Sequence, residues 1–252
     1  MRTSKDNKFI LTNKKNKVMK KVIMLFAFLA LVYMLNAQSL DEILKQYSAA
    51  INSEKLASTK TIRITGKMSS MGMQMPMVMY MKNPNKIKVT YSFNGQDMVS
   101  VYDGEKGYMM NPMMGSNEPV ELTGEQLKQV QNNNAFRNEL LTYYNNKQVT
   151  LEGAEDVNGS PASKLKISVD GGNPVYMFID KKTGLIVKTS TTVEQMGTTM
   201  NIDSYMTDYV NTKGVVMPKK TIAMANGMEA ATISFDLIEV DVPMDDSIFK
   251  LK

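Results

Sequence analysis

The 252-residue chain contains no cysteine, no histidine and no tryptophan. The absence of cysteine excludes disulfides, thiolate metal sites, a thiol nucleophile and the lipid-modified cysteine of a lipoprotein. The absence of histidine excludes the imidazole that most zinc sites and Ser-His-Asp triads require. Most hydrolytic and metal-dependent mechanisms are therefore closed to this chain. We predict a protein that is not an enzyme, has no catalytic residue and no metal ligand, and needs no cofactor.

Acidic side chains are the remaining candidates for catalysis. Glu155-Asp156 and Asp245-Asp246 are carboxylate pairs, and glycosidases act through two carboxylates. Both pairs occur in sequence typical of turns, where short polar residues are common. We therefore assign no chemistry to either pair.

The first 37 residues have the pattern of an export signal. Eight lysines and arginines precede Val22–Leu35, an apolar run of 14 residues that is short for a membrane span. Ala37 offers a small residue after which the leader can be cleaved, before Gln38. The pattern predicts a leader over residues 1–37, one mature domain over residues 38–252 and a periplasmic location. An uncleaved membrane anchor is the alternative interpretation.

The positive charge of the chain belongs to its leader. The leader holds eight of the 30 Lys and Arg residues and one of the 25 Asp and Glu residues, so the mature part carries 22 and 24. This near balance differs from the basic surface of nucleic-acid-binding proteins, and we predict no nucleic-acid partner. Because Met19-Lys20-Lys21 resembles the start of a shorter signal, Met19 is a second candidate start residue.

Methionine is abundant, with 24 residues, and six of them occupy every second position from Met71 to Met81. Alternate side chains of a β-strand point to the same face, so this run predicts one strand with a thioether face. Pro76 within the run predicts an edge or a bulge. Methionine is flexible and polarizable and suits surfaces that accept variable apolar partners. The run is therefore the wall of an apolar cavity, a loosely packed core, or a Cu(I) site.

The rest of the mature chain is a succession of strands joined by turns. Apolar and polar residues alternate over Lys86–Phe93, and Asn94-Gly95 is a strong hairpin signal. Further strands are predicted at 61–68, 97–102, 106–111, 148–152, 162–169, 175–180, 185–194, 198–209, 214–225 and 228–240. The pattern predicts a mainly β, α+β fold, with about 11 strands in a curled antiparallel sheet, because a sheet of this size must curl or close.

Helical segments interrupt the strands twice. Ser39-Leu-Asp-Glu42 and Thr123-Gly-Glu-Gln126 are capping boxes. The first opens an amphipathic N-terminal helix that extends towards Ser58, and the second opens a short helix that is followed by another over Ala135–Tyr144. We predict that the two short helices form a lid over the concave side of the sheet through the apolar side chains of Leu127, Val130, Phe136, Leu140 and Leu141.

Three segments resemble the periplasmic lipoprotein carrier family, the LolA-like proteins that include outer-membrane lipoprotein-sorting proteins. Met81–Lys88 contains Lys-x-Pro-Asn at the start of a strand. Val101–Pro112 contains Asp-Gly in a hairpin, followed by an aromatic strand that ends in Asn-Pro. Val242–Phe249 is similar to the family's final Asp-x-x-Phe segment. The order of elements over residues 39–252 also fits the family.

The resemblance implies an incomplete β-barrel with helices as a lid, and an apolar cavity that holds lipoprotein acyl chains in transit to the outer membrane. The implied partners are these acyl chains or other lipids, and the inner- and outer-membrane machinery that sorts lipoproteins. The side chains that we expect to line the cavity are Met73, Met75, Met77, Met79, Ile87, Val89, Tyr91, Met98, Val101, Met110, Leu165 and Ile167.

The sequence departs from the family at one position. Proteobacterial carriers place an arginine directly before the Pro-Asn, and that arginine helps to control the lid; here the residue is Asn83. The departure leaves open whether the lid cycles as it does in the carriers. Two other functions are weighed against a lipid carrier: a periplasmic Met-rich Cu(I)-binding protein, and an envelope domain with a structural or regulatory role. Successive methionines on one strand face lie about 7 Å apart, too far to share an ion without a bend.

Overall fold

The computed structural model describes residues 38–132, 135–195 and 197–251, and the predicted leader lies outside them. The N-terminal helical region is divided into two helices by a turn at Asn52. This residue has a left-handed φ of 52°, and its side-chain oxygen accepts a hydrogen bond from the Lys55 N–H. The α-helices are α1 (Leu40–Ala50), α2 (Ser53–Ser58), α3 (Gly124–Asn132) and α4 (Glu139–Asn145). Two 3-10 helices cover Pro112–Met114 and Asp246–Phe249.

The strands form one antiparallel sheet, which remains open between its two edge strands. They are β1 (Thr61–Ser70), β2 (Met73–Lys82), β3 (Lys86–Phe93), β4 (Gln96–Tyr102), β5 (Gly107–Asn111), β6 (Ser116–Glu121), β7 (Val149–Val157), β8 (Ser160–Ile167), β9 (Val175–Asp180), β10 (Ile186–Gln195), β11 (Thr198–Thr212), β12 (Val215–Ala225) and β13 (Met228–Val240). Their order is β6-β5-β4-β3-β2-β1-β13-β12-β11-β10-β9-β8-β7. The helices α3 and α4 thus lie in the connection between the two edges.

Three of the hairpins turn at Asn-Gly pairs. Both residues have a left-handed φ at 94–95, 158–159 and 226–227. Two consecutive residues of positive φ are the requirement of a type I′ turn, whose twist matches that of the paired strands. These turns fix the register of their strands, so that Phe93 pairs with Gln96 and Tyr91 with Met98.

The helices pack on one face of the sheet, here called the concave face, and bury two apolar clusters. The first core lies under α3 and the C-terminal end of α1 and includes Ile51, Ile62, Ile64, Met81, Ile87, Tyr102, Phe136, Val215 and Val240. The second core lies under α4 and the N-terminal end of α1 and includes Ile43, Leu44, Leu140, Val149, Leu165, Ile167 and Ile179. Burial of these side chains supplies the main driving force that holds the helices against the sheet.

The predicted fold class is confirmed, and the sheet has thirteen strands, one more than the twelve predicted strand ranges. The additional strand β6 has a polar sequence with Pro119 and no alternation, so no pattern marked it. The predicted helix over Ala135–Tyr144 begins only at Glu139, because the Asn138 side chain accepts a hydrogen bond from Leu141 N–H and caps it there. Pro76 causes no register shift, and it lies just outside the β2–β3 pairing, which begins at Met77.

Candidate functional site

The methionine run forms one face of β2, as its spacing predicts. Met73, Met75, Met77, Met79 and Met81 alternate with residues that face the other way, and Met71 lies in the preceding turn with φ 50°. Met81 belongs to the first core and Met79 packs against it, so the run lies on the concave face. From Met77 to Met73 the exposed fraction rises from 1% to 41%, so burial decreases over the part of the strand next to the turn.

The methionine face continues across the neighbouring strands. Directly paired residues of antiparallel strands lie on the same face, with Cβ atoms about 4.5–5.5 Å apart. One row of paired residues runs through Met206, Thr221, Ile233, Met68 and Met75, from β11 to β2. Another runs through Phe235, Gly66, Met77, Tyr91 and Met98, from β13 to β4. Beyond the helices, many of these side chains are only half buried.

On seven of the thirteen strands, the charged side chains are confined to one face of the sheet. On β1–β4 and β8–β10, the paired registers place no charged side chain on the concave face. The strands β11 and β12 differ, because they carry a pair of charged residues. Asp208 of β11, which has a left-handed φ of 56°, lies opposite Lys219 of β12. The charged residues of β1–β4 and β8–β10 lie on the opposite face: Arg63, Lys67, Lys82, Lys86, Lys88, Asp97, Lys164, Lys166, Asp180, Lys188 and Glu194.

Ten of the twelve residues predicted to line a cavity lie on the concave face, in two environments. Next to the helices, Ile87 belongs to the first core, Leu165 and Ile167 belong to the second, and Met79 and Val89 pack against the first. The other five lie farther from the helices, on the side of the turns that follow β1 and β3: Met73, Met75, Met77, Tyr91 and Met98. Burial raises the pKa of the Tyr91 phenol.

Val101 and Met110 do not lie on the concave face. The strand pairing therefore corrects the prediction that they line a cavity together with the other ten residues. Val101 pairs with Lys88, and Met110 pairs with Val99, so both point to the convex face. Val101 is nevertheless fully buried, at 0% exposure. The C-terminal 3-10 helix, with its buried Phe249, lies against β3 on the side of Lys82 and Lys86 and covers part of the convex face.

The predicted lid residues meet the concave face with one exception. Leu127 and Val130 of α3 pack against the first core, and Phe136 is part of it. Leu140 of α4 is 1% exposed within the second core. Leu141 points away from the sheet, is 38% exposed and borders a shallow groove between α1 and α4, together with Leu44 and Tyr144. Residues 123–132 and 135–145 are called the lid segment below.

Hydrogen bonds also hold the lid segment, and most of them join neutral groups. The Asn138 amide nitrogen donates to Ser48 Oγ at 3.0 Å and to Ser53 Oγ at 2.9 Å, which joins α4 to both N-terminal helices. Gln131 Nε2 of α3 donates to the Tyr102 hydroxyl at 3.4 Å. The Tyr144 hydroxyl donates to the Asp41 carboxylate. Surface ion pairs contribute little stability, so we expect the attachment of the lid to depend weakly on salt.

Asn83, the residue that departs from the family pattern, anchors the end of β2 to the segment between α2 and β1. Its amide nitrogen donates to the carbonyl oxygens of Ala57 and Thr59, at 3.0 and 2.8 Å. Its backbone N–H donates to the Lys60 carbonyl at 2.9 Å. The side chain is thus used to join the β2–β3 turn to the connection between α2 and β1.

Two half-buried tyrosines lie where α1 meets the sheet. Burial, with a smaller contribution from the Glu139 carboxylate, raises the pKa of Tyr47 to about 12. Burial also raises the pKa of Tyr209, whose hydroxyl donates to the Ile186 carbonyl at 2.7 Å. Both phenols stay neutral at physiological pH, so the interior under α1 carries no tyrosinate charge.

Residues 38–132, 135–195 and 197–251 contain no group of three or more acidic, histidine or cysteine side chains arranged to hold a metal ion. Within the same ranges, no helix has the length and apolar character needed to cross a membrane.

The sequence matches no protein-family model and no curated protein. The fold, by contrast, is similar to several solved structures. A DUF1329 family protein from Desulfovibrio piger has a TM-score of 0.58 at 12% identity, over 82% of this chain and 97% of that one. A putative outer membrane lipoprotein-sorting protein domain from Vibrio parahaemolyticus has a TM-score of 0.55 at 9% identity, over 82% and 97%. The LolA superfamily protein NE2245 from Nitrosomonas europaea has a TM-score of 0.52 at 12% identity, over 81% and 97%.

The chain therefore has a LolA-like fold, as the sequence resemblance predicts. At identities of 9–12%, the similarity concerns the fold alone.

Proposed function

We propose that this protein binds lipid acyl chains on its concave face and carries them through the periplasm, as a non-enzymatic carrier or binder of lipoprotein anchors. The observation that carries the proposal is the segregation of charge, because β1–β4 and β8–β10 present an uncharged concave face. An acyl chain offers no hydrogen bonds and gains about 0.8 kcal/mol for each CH₂ removed from water, so it favours such a surface.

The methionines of β2 suit this task in two ways. Their unbranched thioether side chains adapt to ligands of different shape at little cost. The exposed fraction rises from 1% at Met77 to 41% at Met73, which leaves apolar surface available outside the packed core. The solved structures with the same fold include one named as an outer membrane lipoprotein-sorting domain, and the proposal extends that printed role to this chain. Its further partners are then the inner- and outer-membrane machinery that sorts lipoproteins.

A fluorescent acyl probe tests the proposal directly. The protein purified from the cell envelope should bind a dansylated fatty acid with micromolar or lower Kd. Met73→Glu places a carboxylate on the concave face at a position that is already partly exposed, so the fold tolerates it. Because a charge next to hydrocarbon is costly, Kd should rise at least about tenfold. Absence of probe binding by the wild-type protein would refute the proposal.

A matched control lies one residue further along the same strand. Gln74→Glu introduces the same carboxylate on the opposite face, where Gln74 pairs with Ser69 and is exposed. Its Kd for the probe should equal that of the wild type. Equal weakening by both variants would mean that the probe senses net charge rather than the concave face.

Cu(I) binding is the second candidate, because Met68 stands directly opposite Met75 and brings two thioethers together. Competition with a bathocuproine chelator separates the two functions. Tight Cu(I) binding without acyl binding would reverse their order, and binding of neither would favour a structural or regulatory envelope domain.

A further inference from the structure

The concave face is not uniformly apolar, because hydroxyl groups concentrate on three adjacent strands. Thr189 of β10 pairs directly with Ser204 of β11. Thr221 of β12 pairs with Met206, which lies two residues beyond Ser204 on the same face of β11. These three residues, here called the hydroxyl patch, lie between the methionines of β2 and the second core.

Continuous pairing places the hydroxyl patch on the concave face. Thr189 also pairs with Met177, and Met177 pairs with Leu165 of the second core. Thr221 pairs with Ile233, which pairs with Met68 and so joins the patch to the methionine face. The patch thus lies between the two apolar walls of the proposed binding surface.

The three hydroxyls make no hydrogen bond within the described part of the chain. Thr191, the next concave residue on β10, differs: its hydroxyl donates to the Pro174 carbonyl at 3.1 Å. All three patch residues are half buried, so they remain partly exposed to solvent. An apolar ligand on this face would cover them and remove their water, and a covered hydroxyl without a partner is costly.

We infer that the hydroxyl patch binds the carbonyl oxygens of ester-linked acyl chains, an inference that rests on the proposed function. A hydroxyl donates one hydrogen bond, and an ester carbonyl accepts one and carries no charge. The patch itself contains only hydroxyl groups, and the cation on the same face of β12, Lys219, stands opposite Asp208. The structure therefore assigns the ester carbonyl as the group that the hydroxyl patch binds.

The test compares two ligands that differ only in their carbonyl groups. Dioleoylglycerol has two ester carbonyls, and its diether analogue has the same chains without carbonyls. Wild-type protein should bind the diester about five- to thirtyfold more tightly, as expected for one or two neutral hydrogen bonds. The triple variant Thr189→Val, Ser204→Ala and Thr221→Val keeps the approximate side-chain volumes. It should bind both ligands equally, and it should bind the diether at least as tightly as the wild type does, because no hydroxyl is left covered without a partner.

A control variant removes hydroxyls from the convex face. Ser190 pairs with Asp203, Ser234 with Lys67, and Thr90 with Val78, all on the side away from the helices. The combined variant Ser190→Ala, Ser234→Ala and Thr90→Val should keep the wild-type preference for the diester. Loss of the preference in this control would overturn the assignment to the patch.

Infrared spectroscopy on the unmodified protein keeps the inference testable if the triple variant fails to fold. The ¹³C-labelled ester carbonyl stretch of bound dioleoylglycerol should shift to lower frequency than in hexane, as a hydrogen-bonded carbonyl does. An unshifted band, or equal affinity of the wild type for diester and diether, would overturn the inference and leave acyl binding intact. Failure to bind either ligand would instead refute the proposed function.

Discussion

The side-chain amide of Asn83 donates a hydrogen bond of 2.8 Å to the carbonyl oxygen of Thr59. A second bond of 3.0 Å reaches the Ala57 carbonyl, so one side chain satisfies two backbone acceptors at the C-terminal end of α2. The carriers that the sequence resembles have an arginine at this position. In this chain the position holds the β2–β3 turn against the helical end of the molecule, and any lid control has to reside elsewhere.

Asn83→Ala should lower the free energy of unfolding by about 1–2 kcal/mol, because it leaves two backbone carbonyls without their donor. Urea denaturation followed by circular dichroism measures this change. Acyl binding by the folded variant should be unaffected, since Asn83 lies outside the concave face. Asn117→Ala, a change at an exposed position of the edge strand β6, serves as the control and should change stability by less than about 0.5 kcal/mol. Equal effects of the two substitutions would contradict the role of Asn83.

The lid segment should open more readily than the sheet that it covers. Hydrogen exchange should be faster over residues 123–144 than over 86–93 and 162–169, because the helices rest on side-chain packing while those strands are paired on both sides. An acyl ligand should slow exchange in the lid. Uniform protection that no lipid changes would indicate a closed structural domain.

Asn138 provides the variant that isolates the lid. Asn138→Ala removes the bonds to Ser48 and Ser53 and the cap of α4, so exchange over 139–145 should accelerate about tenfold while β3 is unchanged. Asn145→Ala, an exposed change on the same helix, should leave the rates within about threefold of wild type. Raising the salt concentration from 0.1 to 1 M should have little effect on the wild-type lid, because these bonds are neutral.

The C-terminal 3-10 helix should loosen in acid. Hydrogen bonds from Lys82 and Lys86 lower the pKa of Asp246 from 3.8 to about 2. A carboxyl with a depressed pKa in the folded state adds stability above its ordinary pKa, and this stability disappears as the pH falls from about 4 to about 2. Carbon-detected NMR of the carboxyl groups should show this midpoint.

Asp246→Asn should abolish the corresponding part of the pH dependence. The unfolding midpoint of the variant in urea should change less between pH 4 and pH 2 than that of the wild type. Asp236→Asn, a substitution at an exposed residue of β13, is the control and should preserve the wild-type slope. An unaltered slope in Asp246→Asn would show that other carboxyls govern this range.

The leader is expected to be removed on export. N-terminal sequencing of the protein from the cell envelope should begin at Gln38 or within a few residues of it, since Ala37 supplies the small residue before the cleavage site. Protein that remains in the cytosol with Met1 or Met19 at its start would contradict the periplasmic location on which the proposed function depends.

Regular patterns made most of the fold predictable. The methionine run repeats with a strict period of two, and the structure places its strand residues on one face. Asn94-Gly95 marks a hairpin because it has the backbone freedom that a type I′ turn requires. The strand β6 was missed, because edge pairing holds it and its side chains show no apolar alternation.

The placement of Val101 shows where alternation alone fails. The strand β4 is apolar on both faces, with Met98 and Tyr102 on one and Val99 and Val101 on the other. Its own pattern therefore cannot decide which face is concave. The two-residue turn decides it, since pairing 93 with 96 forces Val101 opposite Lys88. The sequence contained that signal, but the complete burial of Val101 on the convex side depends on tertiary contacts.

The order of the strands has a consequence for how the chain folds. Every neighbouring pair is consecutive in sequence except β1 and β13, where Ile62 pairs with Val240. The two arms, β1–β6 and β7–β13, can each form by successive hairpins, and a hairpin forms in about 1–10 microseconds. The pairing of β1 with β13 requires the two ends of the domain to come together. Contacts between residues this distant in sequence slow folding. Substitutions along that seam should slow refolding more than equally destabilising substitutions within either arm.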